Sequence, residues 1–257
     1  AISGVLSFAV LCRKFTDLKM NREECAFSKS ACVRLMGIGV PMGLQCSITA
    51  IGSVIMQSAV NVLGSTAVAA VTAAGKTMSL LTVPLESIGT AMATYAGQNL
   101  GAARMDRVRK GVNSALIIAA IYAVASLIIL HYADIAIMGL FLDTAKEVEI
   151  VAMGRQYLFW NSVFFIPLGW LIVWRYSIQG LGFSSLAMLA GVAEMVARTA
   201  VALALVPLLG YPGAIMANPA AWVAACLFLY PAYIWTCSQL DNRLLAAKLH
   251  MQSPHAE

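Results

Sequence analysis

Six stretches of this chain are long and apolar enough to cross a bilayer, and that repetition limits what it can fold into. A membrane helix needs about 20 mostly apolar residues, and such windows fall at about 35–61, 67–96, 112–132, 155–177, 185–208 and 214–237. The 257 residues are 60% hydrophobic and 11% charged, with a mean hydropathy of +0.80. A water-soluble fold of this length could not hide so much apolar surface. The expected fold class is all-α, a polytopic membrane protein with six transmembrane helices.

The ends of the spans divide the chain further. Residues 1–12 are apolar and precede Arg13 and Lys14, the reverse of the order in a secretory signal. They read as the end of a truncated transmembrane helix. Residues 13–34 read as a linker, 35–240 as a six-helix lobe and 241–257 as a tail. Six cysteines show no CxxC pairing and read as isolated thiols, and none of the three histidines is expected inside an apolar span. A histidine-based zinc site within the membrane is therefore not expected.

Charge then predicts orientation. The linker carries Arg13, Lys14, Lys19, Arg22, Lys29 and Arg34, and the connection after the second span carries Arg104, Arg107, Arg109 and Lys110. Arg175 ends the fourth span, and Arg243 and Lys248 lie in the tail. Threading the spans alternately puts these 13 of the 17 basic residues on one side. The other side carries Asp134, Asp143, Glu147 and Glu149, with Lys146 as its cation. By the positive-inside rule the basic side, with linker and tail, is cytoplasmic, and the net charge of +5 is no sign of nucleic-acid binding. The clusters Trp170, Trp174, Tyr176 and Tyr230, Tyr233, Trp235 read as interfacial anchors.

Charges inside apolar spans cost at least about 2.5–3.5 kcal/mol each and mark what a span does. Glu194 and Arg198 are four apart in the fifth span and share a helical face. Two roles stay open: a neutralised pair that locks helices together, or a polar cavity where Glu194 exchanges a proton or cation. Lys76 and Glu86 lie in the second span, about 15 Å apart along a straight helix, too far to pair directly. Pro84 predicts a kink beside Glu86, the kind of break at which membrane proteins build ion sites. A carboxylate at the headgroup level is the other reading of Glu86. In the first span Gly39 and Gly43 form a GxxxG that permits close helix approach, and Pro41 predicts a break. Gln45, Ser47, Thr49 and Ser53 spread around that helix, and Gln45 is the residue expected to touch solute.

Other chemistry is disfavoured. No aspartate or histidine is expected within a span, which argues against an intramembrane protease. The chain has no GxxxxGK[ST] phosphate loop, so it carries no ATPase engine. No enzymatic activity and no cofactor are expected.

Three blocks carry a family resemblance. "VPLESIGTAMATYAGQNLGAARMDRVRKG" (83–111) resembles the multidrug and toxic compound extrusion (MATE) transporters, whose GQNxGA loop corresponds to Gly97, Gln98, Asn99, Gly101 and Ala102. "VPMGLQCSITAIGSVIMQSAVNVLGSTAVAAVTAAGK" (40–76) is similar to the start of that family's second half, and "WRYSIQGLGFSSLAMLAGVAEMVAR" (174–198) to its RxxxQGxG segment. The resemblance implies one lobe of a twelve-helix transporter, with the first lobe as its partner. It implies alternating-access export of organic cations or drugs in exchange for Na⁺ or H⁺, from a cell membrane. Glu86, Glu194, Arg198, Gln45 and Lys76 become the substrate or coupling candidates, and the GQN glycines are expected to make a tight reversal through unusual backbone angles. A lipid-linked saccharide flippase and a non-transporting scaffold are the alternatives. A flippase would want several deep cations, and a scaffold would want none.

Overall fold

The computed structural model describes residues 4–6, 9–11, 27–139 and 147–252, with side-chain surroundings up to residue 247. Expectations on Arg13, Lys14, Lys19, Arg22, Asp143, Lys146, Cys12, Cys25 and His255 lie outside those residues, as do those on the side chains of Lys248 and His250. The chain divides into two units, residues 1–37 and 38–257. The described part of the first is helical at 4–6 and 9–11 and contains the start of α1 (Lys29–Asn61). Ser28 caps that helix, its hydroxyl accepting from the Ala31 amide at 3.3 Å.

The described residues of the second unit are helical throughout, joined by tight turns. After α1 come α2 (Ser65–Gly101), α3 (Met105–Met138), α4 (Val148–Val163), α5 (Phe165–Gly180) and α6 (Ser184–Ala200). A π-helical turn (Val201–Leu205) continues α6 into α7 (Val206–Leu209), followed by α8 (Tyr211–Ile215) and α9 (Ala217–Gln252). Five helices are long and apolar enough to cross a membrane. A sixth span is α4 plus α5, bent by 52° at Phe164. The six expected spans all appear.

Several helices outrun their apolar windows. α3 reaches Met138, which brings Asp134 onto the helix, while His131 already lies at the end of the 112–132 window, so a histidine and an aspartate stand on a helix where neither was expected. Asp134 there accepts from Arg155 of α4 at 2.5 Å.

The break expected at Pro41 does not occur, and Pro84 lies within an uninterrupted helix. α1 runs through Pro41 and α2 through Pro84. A helix-interior proline lacks an N–H and weakens the turn before it. Near Pro84 the Tyr122 hydroxyl of α3 donates to the Leu81 carbonyl at 2.8 Å, bracing α2 beside the Leu80 carbonyl that the proline leaves without its helical donor. The real interruption is at Phe164, where Phe164 N–H bonds Asn161 only three residues back. Three residues on, the Pro167 carbonyl accepts from the Cys226 thiol at 3.1 Å.

The core is built on α2, α3, α4, α5 and α9, with Leu85, Val112, Phe165, Leu171 and Leu229 fully buried. A smaller core joins the end of α1 to the π-helical turn and α8 through Val60, Val201, Val206 and Ala214. Small residues set the closest crossings. A Cβ on Gly180 of α5 would stand 2.2 Å from the Ala93 carbonyl oxygen of α2, and one on Gly97 would stand 3.3 Å from Gly180 oxygen. By contrast α1 is lightly packed: its most apolar window is 11% buried. Gly39 and Gly43 face open space, so the expected GxxxG contact is not made among the described residues. Gly52 makes the approach instead, with a notional Cβ 3.2 Å from Met195 Cα.

Candidate substrate and ion site

The polar residues of α1, α2, α5 and α6 converge within the second unit. α5 supplies Arg175, Tyr176 and Gln179, and α6 supplies Glu194 and Arg198, one helical turn apart. Arg175 is bonded through Nη2 to Glu194 Oε1, and Arg198 Nη2 lies 3.6 Å from the other oxygen, Oε2. All three side chains are at most 12% exposed. Arg198 also reaches the Thr49 carbonyl of α1 at 3.5 Å. Glu194 is therefore clamped between two guanidiniums.

The second carboxylate is placed differently. Glu86 is exposed on α2 and accepts a 2.6 Å hydrogen bond from the Tyr176 hydroxyl. Gly89, one turn along α2, makes this contact possible. A Cβ there would sit 2.8 Å from the Tyr176 ring and 2.7 Å from Ile172, so only glycine lets the ring lie flat against the helix. Next to this pair the Gln179 amide donates to the Gln45 side-chain oxygen at 2.7 Å, tying α5 to α1. These groups line an open groove of about 440 Å³ that also touches Thr49, Ser53 and Arg175.

Among the sequence candidates, Gln45 and Glu86 thus line the groove, and Glu194 and Arg198 sit behind it. Lys76 is exposed elsewhere on α2 and does not line it. Two residues of the candidate site were read differently. Arg175 was counted as a surface cation at the end of a span, but it is the main partner of Glu194. Tyr176 was counted as an interfacial ring, but its hydroxyl holds Glu86. The spacing of Glu86, Gly89 and Ala93 along α2, matched by Ile172, Tyr176 and Gly180 on α5, is the signal that could have found the pair.

The GQN segment also works differently from expectation. Gly97 and Gly101 are helical, and the left-handed residue of the turn is Ala103, at φ 55°. Gly97 serves the α2–α5 crossing. Asn99 bonds back to the Tyr95 carbonyl at 2.8 Å through its side-chain amide, and its own carbonyl accepts from Arg104 N–H at 2.8 Å. After α5, Gly182 at φ 90° makes the reversal, with Phe183 N–H bonded to the Ile178 carbonyl in a Schellman-type closure. Cys32, Cys46, Cys226 and Cys237 are free thiols, and no metal-binding cluster occurs among the described residues.

Residues 41–204 match the MatE family. The chain belongs to it. Two curated relatives of this MatE chain come from Bacillus subtilis (strain 168). The probable multidrug resistance protein YoeA is 24% identical over 57% of this chain and 32% of its own length. The probable multidrug resistance protein YpnP is 31% identical over 52% of this chain and 30% of its own length. The MatE chain therefore spans about a third of the curated relatives it matches. The fold agrees with a solved MATE structure in the bent conformation, at a TM-score of 0.80 and 16% identity, covering 95% of this chain and 55% of that one.

Proposed function

We propose that this chain is the second lobe of a secondary efflux antiporter that exports organic cations or drugs in exchange for Na⁺ or H⁺ by alternating access. Glu86 is the carboxylate that meets the cation, and Glu194 is a structural lock. The observation that carries this reading is the contrast in their partners. Glu86 faces an open groove and is held by a neutral hydroxyl, so a cation can approach it without displacing another. Glu194 is buried and already paired with two guanidiniums, one on each oxygen, which leaves a further cation no free carboxylate oxygen to meet. The names of the two Bacillus relatives point the same way. A flippase cavity would need free cations, whereas Arg175 and Arg198 are both turned to Glu194. Rocking of this lobe against a first lobe would expose Glu86 to one side and then the other. In this reading the basic ends of the spans, the linker and the tail face the cytoplasm of a plasma or inner membrane.

Fluorescent-cation efflux tests the assignment in the intact transporter that carries this lobe, with Na⁺ and pH varied separately. Glu86→Gln should abolish export while the protein still inserts. Unchanged export would remove Glu86 from the coupling role. No export by the wild type under any gradient would overturn the antiporter reading itself.

A further inference from the structure

The four cations after the GQN segment are not equivalent. Arg104 pairs with Asp106 at 2.9 Å, and Arg109 pairs with Asp241 of α9. Among the described residues Arg107 and Lys110 have no carboxylate partner, and both are exposed on α3. They line the mouth of a groove between α2 and α3, on a stretch distinct from the Glu86 site.

That groove has two compartments. The polar one, of about 450 Å³, holds Arg107 and Lys110 from α3 opposite Gln98 and Asn99 from α2. The apolar one, of about 530 Å³, runs on between Ile88, Ala91 and Met92 of α2 and Ala115 and Ile118 of α3. Tyr95 and Lys110 belong to both, so the two are continuous. The polarity of both helices changes at one level. Along α2 the lining residues recur at three- and four-residue intervals, apolar before Tyr95 and amide-bearing after it. Along α3 the order is the mirror image, cationic up to Lys110 and small or apolar from Gly111 onward. No acidic residue lines either compartment. The level is maintained by Gly111: a Cβ there would stand 2.3 Å from the Tyr95 ring, which lies across α3 with its hydroxyl donating to the Arg107 carbonyl at 3.3 Å.

A ligand that fits must carry negative charge at one end and about 10 Å of apolar chain at the other, the rise from Tyr95 to Ile88. Both helices are membrane-spanning candidates and the switch comes near their polar ends, where bilayer headgroups lie. We propose that the α2–α3 groove binds an anionic phospholipid. Arg107, Lys110 and the Gln98 and Asn99 amides hold its phosphate, and one acyl chain lies along Ala91 and Ile118. The GQN segment and its basic run form a lipid headgroup site as well as a helix end.

The test is native mass spectrometry of the intact transporter purified from membranes containing phosphatidylglycerol and phosphatidylethanolamine. Wild type should retain phosphatidylglycerol in preference, a result that needs no variant. The double variant Arg107→Gln, Lys110→Gln should hold it about 30-fold more weakly, on the scale of one headgroup attraction per cation. Arg104→Gln, whose cation is already paired, should hold it like wild type. Equal retention of the two lipids overturns the proposal, as does a double variant that binds normally or a groove found covered by the first lobe. Lipid retention does not depend on transport, so failure of the antiporter reading leaves this result interpretable.

Discussion

Glu194 and Glu86 both lie within apolar helices of one lobe, and their surroundings differ in almost every respect. Glu194 is enclosed, 3% exposed, and meets a guanidinium on each oxygen. Glu86 is exposed, meets one phenol, and borders an open groove. A carboxylate that costs several kcal/mol to bury is kept only if something compensates it. For Glu194 the compensation is permanent, built from two other helical positions. For Glu86 it is partial, and a mobile cation can complete it. On the proposed reading, the permanence of a carboxylate's partners, rather than its depth in the membrane, separates the coupling residue from the lock.

The largest effect should come from Glu194→Gln. Removing the charge leaves Arg175 and Arg198 buried together, and Nε of each already lacks a hydrogen-bond partner among the described residues. A loss of about 3–5 kcal/mol is expected, read as a lower unfolding temperature in detergent. Replacing Arg175 with Gln as well should recover part of it. If Glu194→Gln unfolds like wild type, the lock is not a lock and the contrast collapses.

Gly180→Ala comes next. The added methyl meets the Ala93 backbone, which cannot swing aside, so about 1–3 kcal/mol should be lost, visible in the same melting experiment. Gly89→Ala sharpens the contrast differently: its clash is with the movable Tyr176 ring, so export should suffer more than stability. Smaller still is Gln179→Ala, which removes the 2.7 Å bond to Gln45 and about 1 kcal/mol. Tyr176→Phe should change stability least while raising the apparent KM for the coupling ion. An unaltered KM would show that the phenol does not tune Glu86.

Much of the fold was legible because hydropathy acts over whole spans: five helices and the bent α4–α5 pair fall on the six apolar windows. The Glu194–Arg198 face was legible because a four-residue spacing fixes a helical side. Arg175 was not, since its position at the end of a span is equally compatible with water. Only the course of α5 past the break at Phe164, and its packing on α6, turn it inward. Pro41 was misleading as a break because a long helix can run on through a proline at the cost of one backbone hydrogen bond. The GQN glycines were misleading because glycine serves close approach as readily as reversal, and sequence alone does not say which.

The π-helical turn at Val201–Leu205 has a consequence for how the chain tolerates change in length. Up to Arg198 the buried positions of α6 follow an α-helical rhythm, which would next bring residues 205 and 209 inward. Val206 is buried instead, one position late, while Leu205 is only half-buried and Leu209 is exposed. The extra residue in the turn has thus shifted the phase of everything beyond it by about 100°. The charge lock and the Gly210–Gly213 corner are each in register with their own neighbours, and not with each other. A single-residue deletion inside 201–205 would straighten the helix and leave Glu194 and Arg198 on their partners. It would also rotate Val206 out of its core and carry Gly213 away from the Leu205 backbone it now rests on. At that one place the lobe is sensitive to count rather than to chemistry.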